Sequence, residues 1–166
     1  MPVNSRQTPP FMVGRMNSAS MTIYQPDQNI NPWIYQGREF TDNDIEDYKA
    51  FVYQITGSDG KYYIGRKNFF APKTYQKNGK RRKKMVISDY KSYYGSSVQL
   101  LNDIKELGVD SFTREILVLC KSKGESNYIE AKIQFERGVL LDENAYNSII
   151  NCRVHASHVK TLKGNG

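Results

Sequence analysis

A chain of 166 residues with 39% hydrophobic and 12% aromatic content can bury one core of ordinary size and is too short for two. That apolar content excludes wholesale disorder, no apolar run approaches the ~20 residues of a membrane helix, and two cysteines make no disulfide framework. The formal charge of +7 points to a polyanionic partner.

Residues 1–45 read as an irregular N-terminal extension. Five of the six prolines (Pro2, Pro9, Pro10, Pro26, Pro32) lie there among Asn, Gln and Ser, with no sustained periodicity and no legible signal peptide. Within it, Asn31-Pro32-Trp33-Ile34-Tyr35 is apt to dock onto the domain or onto a second protomer, so a homodimer or higher oligomer through the extension is one expectation. The acidic stretch Asp42-Asn43-Asp44-Ile45-Glu46-Asp47 leads into the fold and is placed to cap a short helix. Phe51 to Thr56 reads as a strand, Gly57-Ser58-Asp59-Gly60 as a turn, and Lys61 to Gly65 as the return strand of a hairpin.

From about 66 to 93 the chain reads as a long basic insertion loop with at most short pieces of structure. Between Arg66 and Lys91 stand ten basic residues and a single acid, Asp89, so the basicity is local and the rest of the chain is slightly acidic. Ser96 or Ser97 can cap a helix carrying Leu100, Leu101, Ile104 and Leu107 on one side, which Gly108 ends. Phe112 to Cys120 is a third strand, and a second helix is expected from about Ser126 to Arg137 with Tyr128, Ala131 and Phe135 facing the core. The expected fold is α/β: a small three-stranded, mostly antiparallel sheet flanked by helices, in a domain spanning 46–166.

Tyr53 and Tyr63 lie ten residues apart across the predicted turn. Alone, they read as a cross-strand aromatic pair that stabilises the hairpin. A phenol titrates near pH ~10, and acts as a base only where cations lower that value; the basic run downstream could supply such a field. Periodicity alone makes Glu130 a solvated residue on the polar flank of its helix, with Gln134 and Arg137. Lys80-Arg81-Arg82-Lys83-Lys84 suits plain phosphate contact better than a localisation signal, and His155 and His158 read as an exposed tail. Cys120 and Cys152 read as reduced, structural thiols.

The series Phe51-Val52-Tyr53, then Tyr63-Ile64-Gly65, resembles the paired signature of GIY-YIG nucleases. Tyr94-Gly95-Ser96-Ser97 before a helix, Leu107-Gly108 at its end, Phe112-Thr113-Arg114-Glu115-Ile116-Leu117, a helical Glu130 and Tyr146-Asn147 extend the resemblance over residues 51–153. It is similar above all to stand-alone and homing-type members from bacteriophages. The resemblance implies that Tyr53 takes a proton from an attacking water, while Tyr63 orients that water or helps Tyr53 lose its own proton. It implies that Glu130 alone ligates one Mg²⁺, or another divalent cation such as Mn²⁺, and that Asn147 holds the glutamate or the tyrosine in place. Gly65 would let the backbone pass close to another element.

Two positions depart from the family pattern. Phe51 stands where Gly is usual, and Lys73 stands where an Arg is usual. The phosphate-binding cation could then be Arg66, Lys67, Arg81 or Arg82, with Arg66 favoured because it follows the strand directly. Tyr90, Tyr93 or Tyr94 could replace a histidine often found after that Arg. Lys67, Lys73, Arg81, Arg82, Lys83, Lys84, Ser96 and Ser97 are the expected DNA-binding residues. The implied activity is metal-dependent hydrolysis of DNA phosphodiester bonds, in a homing-type or phage DNA-degrading or recombination nuclease of the cytoplasm (the host's, if phage-encoded), with no membrane partner. The alternatives are a nucleic-acid-binding protein that lost catalysis on the same fold, and a basic virion-associated protein.

Overall fold

The computed structural model describes residues 31–165; the greater part of the expected extension, residues 1–30, and any oligomer contact made there, lie outside the described residues. Two short strands, β1 (Trp33–Tyr35) and β2 (Arg38–Glu39), precede the predicted hairpin of β3 (Ala50–Gly57) and β4 (Tyr62–Asn68). Then come β5 (Phe70–Lys77), β6 (Lys80–Ile87), helix α1 (Val98–Leu107), β7 (Phe112–Cys120), helix α2 (Lys123–Glu136) and a 3-10 segment, Ala156–Asn165. The main sheet has the order β2-β1-β7-β3-β4, antiparallel except where β1 runs parallel to β7.

The sheet therefore has five strands, not three. The two additional strands come from residues 33–39, within the stretch read as extension. They are three and two residues long, too short to show a period of two. Trp33 holds them in place: it is buried, its indole N–H donates to the Tyr90 carbonyl at 2.7 Å, and its ring meets those of Phe51 and Tyr53 edge-on at 5.1 Å.

The basic stretch is also not a loop. β5 and β6 form a separate two-stranded antiparallel ribbon, turned by Asn78 and Gly79, both at positive φ. Asn-Gly is the residue pair such a two-residue turn demands, and it outweighs the polarity that suggested a loop. The ribbon is rooted in the core. Phe69, just before it, is fully buried, stacks on Phe40 at 5.5 Å and meets Tyr90 edge-on at 5.2 Å.

Alternating side chains of β3 give the sheet two unlike faces. Phe51, Tyr53 and Ile55 join an aromatic core with Trp33, Phe40, Phe69, Tyr90, Leu100 and Phe112. Ala50 and Val52 pack on the other side with Ile64, Cys120 and Val139, beneath α2. α1 is capped by Ser97, whose hydroxyl accepts from Leu100 N at 3.3 Å, and Gly108 ends it at φ 84.

The inward face of α2 is not the expected one. Ala131 is buried, but so are Glu125, Ser126 and Gln134, whereas Tyr128 and Phe135 are exposed. Gln134 turns inward to donate to a carbonyl of the sheet edge below, whereas Glu125 accepts from Thr161 of the 3-10 segment and Ser126 donates to the Lys123 carbonyl of its own helix. The thiols also divide: Cys120 is buried, while Cys152, expected to be structural like it, is exposed.

Candidate active site at the β4 edge

β4 is an edge strand, and its first half is covered. The Tyr62 amide donates to the Asn144 carbonyl at 2.9 Å and the Tyr146 amide to the Tyr62 carbonyl at 2.8 Å. Asn147 continues the cover with its side chain. Its Oδ1 accepts from the Ile64 amide at 3.0 Å and its Nδ2 donates to the Ile64 carbonyl at 2.7 Å, so one carboxamide imitates a neighbouring strand. Asn147 thus grips neither Glu130 nor a tyrosine. Gln134 has the bridging position: its Nε2 donates to the Ile64 carbonyl at 2.9 Å and lies 3.3 Å from Glu130 Oε1.

Past Ile64 a cleft of about 440 Å³ opens along the strand, and Tyr53, Tyr63, Arg66, Lys67, Tyr93, Ser96, Ser97, Glu130 and Asn147 all contribute to its lining. Registry explains how β4 serves both walls. Tyr53 lies opposite Gly65, Ile55 opposite Tyr63 and Phe51 opposite Lys67, which puts Tyr53, Tyr63 and Lys67 on the aromatic face. Val52 lies opposite Arg66, so Arg66 points to the α2 side, where its Nε is 3.5 Å from Glu130 Oε2. The two tyrosines are diagonal neighbours, with ring centroids 6.2 Å apart. Gly65 is required here: a Cβ on it would fall 2.5 Å from the Tyr53 hydroxyl.

Burial governs the electrostatics of this cleft. The Tyr53 phenol is held well above its ordinary value by burial, then by the neighbouring Tyr63 and Tyr93. Burial also raises Tyr63, against the hydrogen bond between its hydroxyl and Ser96 Oγ at 3.1 Å. Both phenols are therefore neutral at neutral pH, and the basic run does not lower them as the sequence suggested. Glu130 is not the solvated residue that periodicity implies. Burial lifts its carboxyl from 4.5 to about 6, with Arg66 and Gln134 pulling the other way. Among the described residues it is the only carboxylate lining the cleft.

The cations have unequal freedom. Lys67 is engaged by Asp89 at 2.6 Å and sits 3.8 Å over the Tyr93 ring, whereas among the described residues Arg66 has only the long contact to Glu130 and one to Asn68 at 3.3 Å. Lys73, Arg81, Arg82, Lys83 and Lys84 lie out on the ribbon and line no part of the cleft. Of the three aromatic candidates, Tyr93 lines the cleft. Tyr90 is buried in the core and bonded to Asp42, and Tyr94 lies 4.3 Å from the Arg114 guanidinium.

Two further residues, Asn127 and Arg114, have places here to which no sequence signal had assigned a role. Asn127 lines the cleft one turn before Glu130, a helical spacing that could have flagged it. Arg114 is fully buried between Trp33 and Tyr94, and donates to the Asn31 and Tyr93 carbonyls, the latter at 2.9 Å. It ties β1 to the loop that presents Tyr93, and no periodicity announces such a role.

Among the described residues, no three His, Cys, Asp or Glu are grouped closely enough to enclose a metal ion. One desolvated carboxylate in an open, water-accessible cleft does suit a hard divalent cation that keeps most of its waters and takes the rest of its ligands from a phosphate.

A family model described as "Putative endonuclease segE, GIY-YIG domain" matches residues 33–150, more than half of the chain. Neither the curated proteins nor the solved structures give a significant match. The family match opens on Trp33, which anchors β1, and among the described residues runs through every strand, both α-helices and Asn147. The chain belongs to the GIY-YIG family of endonucleases.

Proposed function

We propose that the protein hydrolyses DNA phosphodiester bonds at the β4 cleft, with Glu130 as the sole protein ligand of one Mg²⁺ or Mn²⁺ ion. The observation that carries this reading is the convergence, on one strand edge, of two phenols, a lightly engaged Arg66 and a single desolvated carboxylate. Arg66 binds a non-bridging oxygen of the scissile phosphate, exchanging its long contact with Glu130 for a charge-assisted one.

Tyr63, the less buried phenol, is the one that water reaches, and Tyr53 stands behind it as the interior partner. The pair orients the attacking water and accepts its proton. Because both phenols start neutral, Tyr53 must first lose its own proton through Tyr63 to solvent, and the proton of the attacking water then returns to it by the same relay. The water oxygen bonds to phosphorus, the bond to the 3′ oxygen breaks, and that oxygen takes a proton from solvent in the open cleft. A cation bound at Glu130 would offset the charge of the phosphate under attack and stabilise the departing oxygen. Gln134 fixes the carboxylate, and Asn147 fixes the strand that carries Tyr63 and Arg66.

We infer a homing-type or phage DNA-processing role in the host cytoplasm. No described helix is long and apolar enough to cross a membrane.

The test is supercoiled plasmid incubated with Mg²⁺, with Mn²⁺ and with chelator. Wild-type protein should nick or linearise it only with metal, and Glu130→Gln should lower the rate about 10³-fold, the several kcal/mol a metal's charge contributes. Cleavage that persists undiminished in chelator, or in Glu130→Gln, would sink the metal reading. Plasmid bound but never cut would favour the catalytically impaired binding protein instead.

A further inference from the structure

The β5–β6 ribbon is two-sided, and its sidedness is legible in its register. Residues directly opposite one another share a face. Lys73 opposes Lys84, Tyr75 opposes Arg82 and Lys77 opposes Lys80, so one face carries five cations and a tyrosine. Thr74 opposes Lys83, Gln76 opposes Arg81 and Pro72 opposes Met85, so the other face carries two cations among neutral and apolar residues.

On the richer face, two cross-strand pairs set like charge directly against like charge. Such pairs destabilise a sheet unless something offsets them. Among the described residues none of the seven cations makes an ion pair. A merely solvated ribbon would have no need of this arrangement, and a polyanion laid along that face would relieve it.

The position of the ribbon narrows the partner. It leaves the domain directly after Asn68, the end of β4 and itself part of the cleft lining, and returns through Ser88, whose amide donates to the Phe69 carbonyl at 2.8 Å and whose hydroxyl donates to the Asn68 carbonyl at 2.6 Å. Buried Phe69 and Tyr90 hold both ends, so the ribbon is a rooted arm. Eight residues per strand give it a reach of roughly 26 Å. The major groove of B-form DNA, about 12 Å wide, admits a two-stranded ribbon of this kind.

We propose that the ribbon enters the major groove of the duplex bound at the cleft, with the face of Lys73, Tyr75, Lys77, Lys80, Arg82 and Lys84 turned to the DNA. This rests on DNA being the substrate, but not on cleavage. The Lys73–Lys84 and Lys77–Lys80 pairs meet phosphates along the groove walls, and Tyr75 and Arg82 lie between them. Arg81 and Lys83 face away.

The sharpest test exploits adjacent residues. Lys80→Gln/Arg82→Gln and Arg81→Gln/Lys83→Gln remove the same charge from the same strand, on opposite faces. Binding to a labelled duplex would be followed by fluorescence anisotropy in chelator, over a range of salt concentrations. The first variant should bind at least tenfold more weakly, with the salt slope reduced by about 2, while the second stays within twofold of wild type. A duplex with bulky groups on pyrimidine C5, which project into the major groove, should bind wild type at least tenfold more weakly. Equal losses in both variants would mean diffuse attraction and overturn the proposal, as would no loss in either, or unhindered binding to the C5-modified duplex. None of these results bears on plasmid cleavage by the wild type, so the nuclease reading stands or falls separately.

Discussion

The two sides of β4 are built from unlike materials. On the aromatic side stand Tyr53, Tyr63 and Tyr93, close together, with the Tyr53 and Tyr63 phenols kept protonated by burial. On the helix side stand Arg66, Glu130 and Gln134, two charges and an amide in loose contact. One side is equipped to move a proton and the other to handle charge. Only an edge strand can present both to the same ligand, because its alternating side chains look to opposite faces while its free margin faces solvent. Asn147 covers that margin at Ile64, and the opening lies beyond it.

If the aromatic side performs proton transfer, removing either hydroxyl should cost far more activity than stability. Tyr63→Phe and Tyr53→Phe are each expected to slow plasmid cleavage by about 10²-fold or more while leaving DNA binding intact. Because the two phenols act as a unit, the double variant should be little worse than the poorer single one. A Phe variant that cleaves at the wild-type rate would reduce that tyrosine to sheet packing.

How much of this could be read in advance depended on whether a signal was local. The β3–β4 hairpin and α1 announce themselves through turn residues, a serine cap and a terminal glycine within a few positions. The tyrosines and Glu130 came from the resemblance, since periodicity alone left Glu130 in solvent, and Arg66 from its place directly after the strand. What stayed hidden has a physical cause in each case. Trp33–Tyr35 is too short for a periodic pattern and becomes a strand only because β7 has a free edge. The buried face of α2 was misassigned because apolar spacing picks out Tyr128 and Phe135, while the sheet edge below calls for Gln134. The role of Asn147 depends on an edge strand more than eighty residues earlier, which no local pattern contains.

Asn147→Ala tests the covered margin. It would leave the Ile64 amide without its partner and the Ile64 carbonyl with Gln134 alone, a loss of about 2–3 kcal/mol in denaturant unfolding. Activity should fall only through stability or cleft geometry, so Asn147→Asp, which keeps the acceptor but not the donor, should recover part of the stability. Full stability in Asn147→Ala would mean that the margin is held by the backbone bonds at Tyr62 alone.

The charged side makes its own demand on stability. Glu130 is lifted from 4.5 to about 6, so the folded protein holds its proton more tightly than the unfolded chain does. The sign follows from that: ionising Glu130 costs the fold, so metal-free protein should gain stability as pH falls from above 6 toward 4.5. The gain from this group approaches about 2 kcal/mol. Other carboxylates titrate lower, among them Asp42, Asp47 and Asp89, each held below its usual range with a lysine partner contributing, and their contribution is lost as pH falls. The gain is therefore isolated by comparing wild type with Glu130→Gln between pH 7.5 and 5. Wild type should approach the variant as the pH drops, and parallel curves would place Glu130 in ordinary solvent.

The smallest effect belongs to the outward face of α2. Phe135→Ser, at a position with 59% exposure, should change unfolding free energy by no more than about 0.5 kcal/mol. Ala131→Leu, on the buried face at 4% exposure, should cost about 1–3 kcal/mol by overpacking the helix against β3 and β4, and should displace Glu130, its immediate neighbour in the chain. Activity in Ala131→Leu should therefore fall further than its stability loss explains, whereas Phe135→Ser should leave cleavage untouched. Equal responses at the two positions would mean that α2 sits on the sheet by its apolar stripe after all, which would turn Glu130 away from Arg66 and dissolve the charged wall of the cleft.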